Sequence, residues 1–494
     1  MRLKLRGWKL ALPLAALLVA TGLITASGSL ASPAQNVAKV AIMTDCKGAF
    51  AFGYELDIGG AQAAFAEFAG GVPKNKNKPS AGMTGITAGG AQVNIVGYGC
   101  GDDTPATGLK ETRRLMQQLD ADIMVGPLSG DEAVAIANWA KANPSKTVII
   151  GTAASQDPTM QIAPKNVFRY HGDGAQWNAG IGEILYKKWG WRNAAVIMDD
   201  YSFAWTSAAG FIADFCAAGG KITKRVFPPL NTTDYTSYVR QLPSPDDVDG
   251  YFWVIGGTGT DPAFKAFEQA YGPLQARQHS GNLFLWFLTG AAVAPKLRGA
   301  YIGGFGIAPG LKYGPASKYR AVMKKNYPKI PAEDSFTLNY YRAAHALVLG
   351  LTKSGGRVGA ALQRAMPRVI DDPYQLASAG KVRLDSRRQA IQDQYAMQIL
   401  PSGKFGIKTY GYVPNVDQTF GGTFGPNKPA PSRTFPPCVK RKLPWQGKIK
   451  VVANGKVTNQ VVGGGMHFQQ MATLDTFDMA PARKRAYAAA GIAD

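Results

Sequence analysis

The chain has 494 residues, 46% of them hydrophobic, with 55 Lys+Arg against 33 Asp+Glu and a formal net charge of +22. That length exceeds one ordinary core and implies two domains, and the apolar content excludes wholesale disorder. The basic side chains are scattered. Only Lys440-Arg441-Lys442 and Arg483-Lys484-Arg485 form tight clusters, without a helix-turn-helix, zinc-finger or RNA-binding signature, which disfavours nucleic acid and leaves an anionic envelope or partner as the better match.

In chain order, Arg2, Lys4, Arg6 and Lys9 precede an apolar run over 10–24, and small residues follow to Ala31. A basic segment, a short apolar core and a small-x-small exit predict a signal peptide over 1–31 and hence an exported chain. No later apolar run reaches the roughly 18–20 residues that span a bilayer. Strands are then expected over 37–44, 92–98, 123–126 and 147–150, alternating with helices over 59–69, 105–119 and 131–142. A second series follows: strands over 194–199, 250–255 and 283–287, with helices over 205–218 and 262–271. A long apolar helix over 335–352 and another over 358–366 come next. Alternation of this kind predicts parallel sheets covered on both faces by helices. From about residue 413 the pattern stops, and a Gly/Pro-rich tail over 413–494 is expected to wrap or dangle, with a helix over 481–490.

Four cysteines in an exported chain suggest two disulfides, for which three pairings exist. Cys46 and Cys100 each follow an early strand, so neighbouring parallel strands favour their union and leave Cys216 with Cys438. No two cysteines lie within four residues of each other and none has a histidine at ligand spacing, so no metal is expected.

The opening strand with Gly48-Ala49 and Gly59-Gly60-Ala61, the Asp102-Asp103-Thr104-Pro105 turn, Val125-Gly126-Pro127-Leu128-Ser129, Ile150 to Ser155 and Asp199-Asp200 resemble the substrate-binding proteins of ABC importers of the branched-chain amino acid type. The resemblance covers roughly 37–410. It implies the type I periplasmic-binding fold: α/β, two Rossmann-like lobes, each a parallel sheet flanked by helices, joined by three hinge crossovers. On this sequence lobe 1 takes 37–168 and 302–385, and lobe 2 takes 169–301 and 386–412. The crossovers fall near 168–170, 302–309 and 382–398. It further implies a monomer in the periplasm, or secreted or held at the cell surface, that closes on a small ligand and hands it to a membrane permease.

In such a fold the ligand lies beyond the carboxyl ends of the strands. The resemblance carries a carboxylate-binding role to Ser129, Gly130, Ala153, Ala154 and Ser155, and the start of a helix after Ser129 suits an anion. A capping role for Ser129 is compatible with this. Asp131 and Glu132 would weaken the attraction if they point inward. Aromatic walls are expected from Phe50, Phe52 and Tyr54 after the first strand and from Tyr201, Phe203 and Trp205 after Asp199-Asp200, with Thr258 and Trp286 as further contacts. Where relatives that bind α-amino acids carry an acid, this chain reads Trp286-Phe287-Leu288-Thr289-Gly290, so an aromatic or apolar carboxylate fits at least as well.

Catalysis is disfavoured. His171, His279, His345 and His467 are the only histidines, His345 on an apolar helix, and no nucleophile elbow, zinc-protease or phosphate-loop motif occurs. Asp102-Asp103 is read as capping and turn chemistry. No cofactor is expected. A different class of function, an extracellular sensor or envelope-associated interaction protein on the same lobes, is suggested by the basic charge and the tail.

Overall fold

The computed structural model describes residues 36–282, 293–303, 314–332, 334–371, 382–402, 407–447, 450–453 and 456–461. The expected leader over 1–31, the strand over 283–287 with Trp286, and the helix over 481–490 lie outside them.

β1 (Val37–Asp45) is apolar almost throughout and buried on both faces, as a strand covered by helices on each side must be. It is followed by α1 (Gly53–Phe68), a small hairpin of β2 (Val72–Pro73) and β3 (Met83–Thr84), β4 (Thr87–Ala88) and β5 (Ala91–Gly101). Then come α2 (Pro105–Arg113), β6 (Ile123–Val125), α3 (Gly130–Ala142), β7 (Thr147–Ile150) and β8 (Val167–Arg169). The sheet has order β4-β5-β1-β6-β7-β8, and only β4 runs antiparallel.

A second group consists of α4 (Ile181–Ile184), β9 (Asn193–Met198), α5 (Ser202–Ala218), β10 (Lys221–Val226), α6 (Thr236–Val239), β11 (Gly250–Val254), α7 (Thr260–Tyr271) and β12 (His279–Gly281). Its parallel sheet has order β10-β9-β11-β12. β10 carries Lys221, Lys224 and Arg225, which hides it from an apolar-run reading; it lies at the sheet edge, where charged side chains belong.

The remaining elements are β13 (Tyr301–Ile302), α8 (Gly314–Asn326), α9 (Ser335–Ser354), α10 (Ala360–Ala365), β14 (Arg383–Leu384), β15 (Ala390–Ile399), β16 (Ile407–Val416), β17 (Lys450–Ala453) and β18 (Lys456–Val461). α9 returns to the first sheet and packs on α1. Gly60 makes this possible, since a Cβ there would sit 2.0 Å from the Thr337 carbonyl oxygen. Tyr340 Oη, one turn on, donates to Met43 O of β1 at 2.5 Å. The fold is thus two α/β lobes on parallel sheets, with crossing segments between them.

The late strands form an antiparallel sheet of order β13-β15-β16-β17-β18. β16 runs straight through position 413, so regular structure continues past the point where the sequence pattern stops. Residues 417–447, irregular as their glycines and prolines require, lie against the second lobe. Cys438 is joined to Cys216 of α5 with a Cα separation of 5.4 Å, and Cys46 to Cys100 with 5.0 Å. Trp445 Nε1 donates to Asp214 of α5 at 2.7 Å, and Gly447 N to Glu183 of α4 at 2.7 Å. The Arg433 guanidinium grips Asp200, with Nε 2.8 Å from Oδ1.

A polar knot joins the crossing segments. Arg169, fully buried at the end of β8, donates to Gln389 Oε1 at 2.5 Å, to the carbonyls of Ser155 at 2.5 Å and Ala153 at 3.2 Å, and to Thr159 Oγ1 at 2.7 Å. Asp173 lies 4.0 Å away. Gln389 continues to His171 O at 2.7 Å and Gln176 Oε1 at 2.9 Å. Gln418 joins from the far end, donating to Asp385 Oδ2 at 2.6 Å and to Thr159 O at 3.2 Å. Burial lowers the Arg169 guanidinium to about 10, against the opposing attraction of Asp173.

Candidate functional site

The carboxyl ends of both sheets face one another, and the turns after β1, β6, β7 and β9 meet there. A cavity between them is lined by Phe50, Leu128, Ser129, Gly130, Thr152, Ala154, Trp177, Tyr201, Phe203 and Phe336. Its walls are mainly rings: Phe50 lies 6.2 Å from Tyr201 and 6.3 Å from Phe336, Tyr201 5.8 Å from Phe203, and Trp177 5.9 Å from Phe203. The free space is about 20 Å³, room for about one water. The aromatic side chains therefore nearly fill the gap, and a larger guest enters only if the walls separate.

Two helix starts converge on this gap. α3 begins after Ser129, whose backbone is extended as an N-cap requires, yet its hydroxyl makes no capping bond. That oxygen is buried, lines the cavity and has no partner among the described residues. The capping role is therefore not the one adopted here. Across the gap, α5 begins at Ser202, whose hydroxyl is likewise buried without a partner. Its backbone N–H donates to Asp131 Oδ1 at 3.0 Å, so an acid of α3 caps α5 from the opposite lobe. Gly130 abuts the same helix; a Cβ there would lie 2.9 Å from Ser202 Oγ. Gly257, at φ +58°, meets Ala49 across the gap, and a Cβ would come within 2.3 Å of Ala49 O.

Of the residues expected in the site, Ser129, Gly130, Ala154, Phe50, Tyr201 and Phe203 line the cavity. Six lie off it. Phe52 is fully buried behind the wall, 5.5 Å from Phe336. Tyr54 already belongs to α1 and packs against the core. Ala153 turns into the core under β7, and the Ser155 hydroxyl donates to Gly130 O at 3.0 Å. Trp205 donates to Asp200 at 3.1 Å on the outer side of α5. Thr258 is exposed.

Leu128, Thr152, Trp177 and Phe336 line the cavity without having been singled out from the sequence. Leu128 and Thr152 flank chosen residues. Phe336 opens a long apolar helix and reads as ordinary core, and Trp177 lies in a turn between lobes that no periodicity marks. Asp334 caps α9 by accepting from Thr337 N at 3.1 Å, which fixes Phe336 at the rim.

Beside the cavity is a buried acidic group. Asp102 does organise the start of α2, accepting from Thr104 N at 3.1 Å and Thr107 Oγ1 at 2.7 Å. Asp103 turns inward instead, toward Asp45 and Glu132. A Cβ on Gly101 would fall 2.1 Å from Asp45 Oδ1 and 2.3 Å from Glu132 Oε1, so both carboxyls crowd one small space. Burial, then mutual repulsion, holds Asp45 and Asp103 well above the usual carboxylate range. Burial also pushes Glu132 up to about 8. Glu132 accepts from Asp102 N at 3.2 Å, so it faces the acidic group and not the cavity. Among the described residues no His/Cys/Asp/Glu group is arranged to hold a metal ion. His345 is stacked on Phe68 at 3.8 Å, and burial lowers it to about 3.

The sequence profile described as periplasmic binding protein matches residues 37–404. No curated protein matches the chain. Among solved structures, a solute binding protein of an ABC transporter from R. palustris in complex with benzoate is similar at a TM-score of 0.64 and 20% identity, covering 78% of this chain and 98% of its own. A solute binding protein from Rhodopseudomonas palustris HaA2 in complex with p-hydroxybenzoic acid gives 0.63 and 17%, with 77% and 98% covered. A leucine binding protein from Thermotoga maritima gives 0.60 and 16%, with 76% and 99% covered.

Proposed function

Because the chain belongs to the periplasmic binding protein family, we propose that it is the exported solute-binding subunit of an ABC importer, selective for a small carboxylate with an aromatic or apolar body. The observation that carries this reading is the unpartnered Ser129 hydroxyl at the start of α3, set in a cavity otherwise walled by five aromatic rings. A carboxylate there gains the hydroxyl, the unbonded N–H groups of the first helical turn and the helix dipole, while its body replaces water against the rings. The benzoate complexes of similar proteins support the same choice of cargo.

In this reading the lobes, 37–168 with 302–385 and 169–301 with 386–412, hinge at the Arg169 knot, and the protein works as a periplasmic monomer that delivers cargo to a permease. The deciding experiment is tryptophan fluorescence with ligand-free protein against benzoate, 4-hydroxybenzoate, leucine and short aliphatic acids. Saturable quenching or enhancement by the aromatic acids is expected, with Trp177 as the reporter. Absence of a saturable response to every acid overturns the proposal; a response to leucine but not to benzoates overturns its choice of cargo.

A further inference from the structure

α9 has Phe336 in the cavity wall at one end and Ser354 at the other, about 27 Å along the helix axis by the 1.5 Å rise per residue. At that far end is a second concavity of about 380 Å³, lined by Lys353, Ser354, Arg357, Arg364 and Arg368 with two alanines of the α10 region. Its lining contains no acid. Ser354 forms a buried floor: its hydroxyl donates to Arg357 O at 2.7 Å, and Arg357 Nε donates back to Ser354 O at 2.9 Å, which holds that guanidinium in place. Arg364 and Arg368 are four residues apart, where like charges on a helical surface repel. Among the described residues neither is paired with a carboxylate. The negative end of α9 accounts for Lys353 in its last turn, but not for the arginines contributed by the following segment.

Arginines that gather around one hollow and have no carboxylate beside them among the described residues are relieved by an external anion. Guanidinium forks bind oxyanions in pairs of hydrogen bonds, and three forks around one hollow match the three terminal oxygens of a phosphate better than the two of a carboxylate. We propose that this concavity binds a phosphate-bearing anion, at a site separate from the cargo cavity. The source is a soluble phosphate compound or a phospholipid headgroup of the envelope.

The test uses the purified full chain with two probes: inorganic pyrophosphate by calorimetry, and phosphatidylglycerol vesicles by co-sedimentation with phosphatidylcholine vesicles as reference. Saturable pyrophosphate binding, weakened about tenfold or more by Arg364→Gln/Arg368→Gln, supports the site with a soluble ligand. Vesicle binding alone, weakened by the same pair, supports it with a lipid headgroup. A single Arg357→Gln variant repeats the measurement should the double variant fold poorly. Lys440→Gln/Lys442→Gln removes the same charge elsewhere and is expected to change binding less than about twofold, since screening confines the effect of distant exposed charges. Binding of neither probe, equal binding by the arginine variants, or an equal loss on removing Lys440 and Lys442 overturns the proposal.

Discussion

The Arg169 knot and the cleft are both buried and both polar in part, but they are finished differently. Around Arg169, side chain meets side chain or carbonyl at each step: Gln389, Thr159, Ser155, Ala153 and Gln418 form a connected set. In the cleft, the hydroxyls of Ser129 and Ser202 are enclosed yet have no hydrogen-bond partner among the described residues. Buried polar groups are normally satisfied, and leaving one bare costs about 1–3 kcal/mol. The knot therefore reads as architecture and the cleft as a place awaiting a partner. Polarity alone separates neither; completeness of bonding does.

The contrast is tested most strongly at the knot. Arg169→Met removes a buried cation and strands its acceptors, with Asp173 left unneutralised, so a loss of about 3–5 kcal/mol in urea unfolding is expected. A loss below about 1 kcal/mol would mean that the knot is not structural. Next is Gly257→Val. The side chain would strike Ala49 O only when the lobes are together, so affinity for an aromatic acid should fall about tenfold or more, and small-angle scattering should report a more open molecule. Unchanged affinity would remove this contact from closure.

Ser129→Ala sharpens the cleft side of the comparison. Loss of an ordinary capping serine costs about 1 kcal/mol; here stability is expected to stay within about 0.5 kcal/mol, while affinity for a carboxylate drops about tenfold. Loss of stability without loss of affinity would return Ser129 to a capping role. Glu132→Gln tests the buried acidic group beside the cavity. With its folded pKa raised from 4.5 to about 8, Glu132 retains in the folded state a proton that the unfolded chain releases over that window. Stability contributed by this group is full below about 4.5 and declines as pH rises toward 8. The variant should flatten that decline in a series of melting curves, and an unaltered slope would contradict the burial argument.

Much of the architecture was legible from apolar runs. β1, β6, β7, β9 and β11 are strands buried on both faces, and such strands declare themselves. β15 did not, because Gln389, Gln392, Asp393 and Gln394 interrupt it or flank it; all four are buried, Gln389 donating to His171 O and Asp393 accepting from Asn415 N. Charged β10 escaped for the opposite reason, being exposed at an edge. The packing of 417–447 had a signal outside itself. α5 is apolar on every side and almost wholly buried, so one sheet cannot cover it; Asp214 and Cys216 are where the covering segment attaches. In the cleft, loops after strands supply much of the cavity lining, but which side chain in each loop turns inward depends on local helix starts. α1 begins at Gly53, earlier than the expected 59, and thereby draws Tyr54 out of the loop and into a helix.

The bond from Asp131 to the start of α5 has a consequence for selectivity. Two positive helix ends are brought together, and the host fills one of them with its own charge. In the proposed binding mode a guest with one negative group pairs with the start of α3, whereas a diacid would have to evict Asp131 or leave its second charge unmatched.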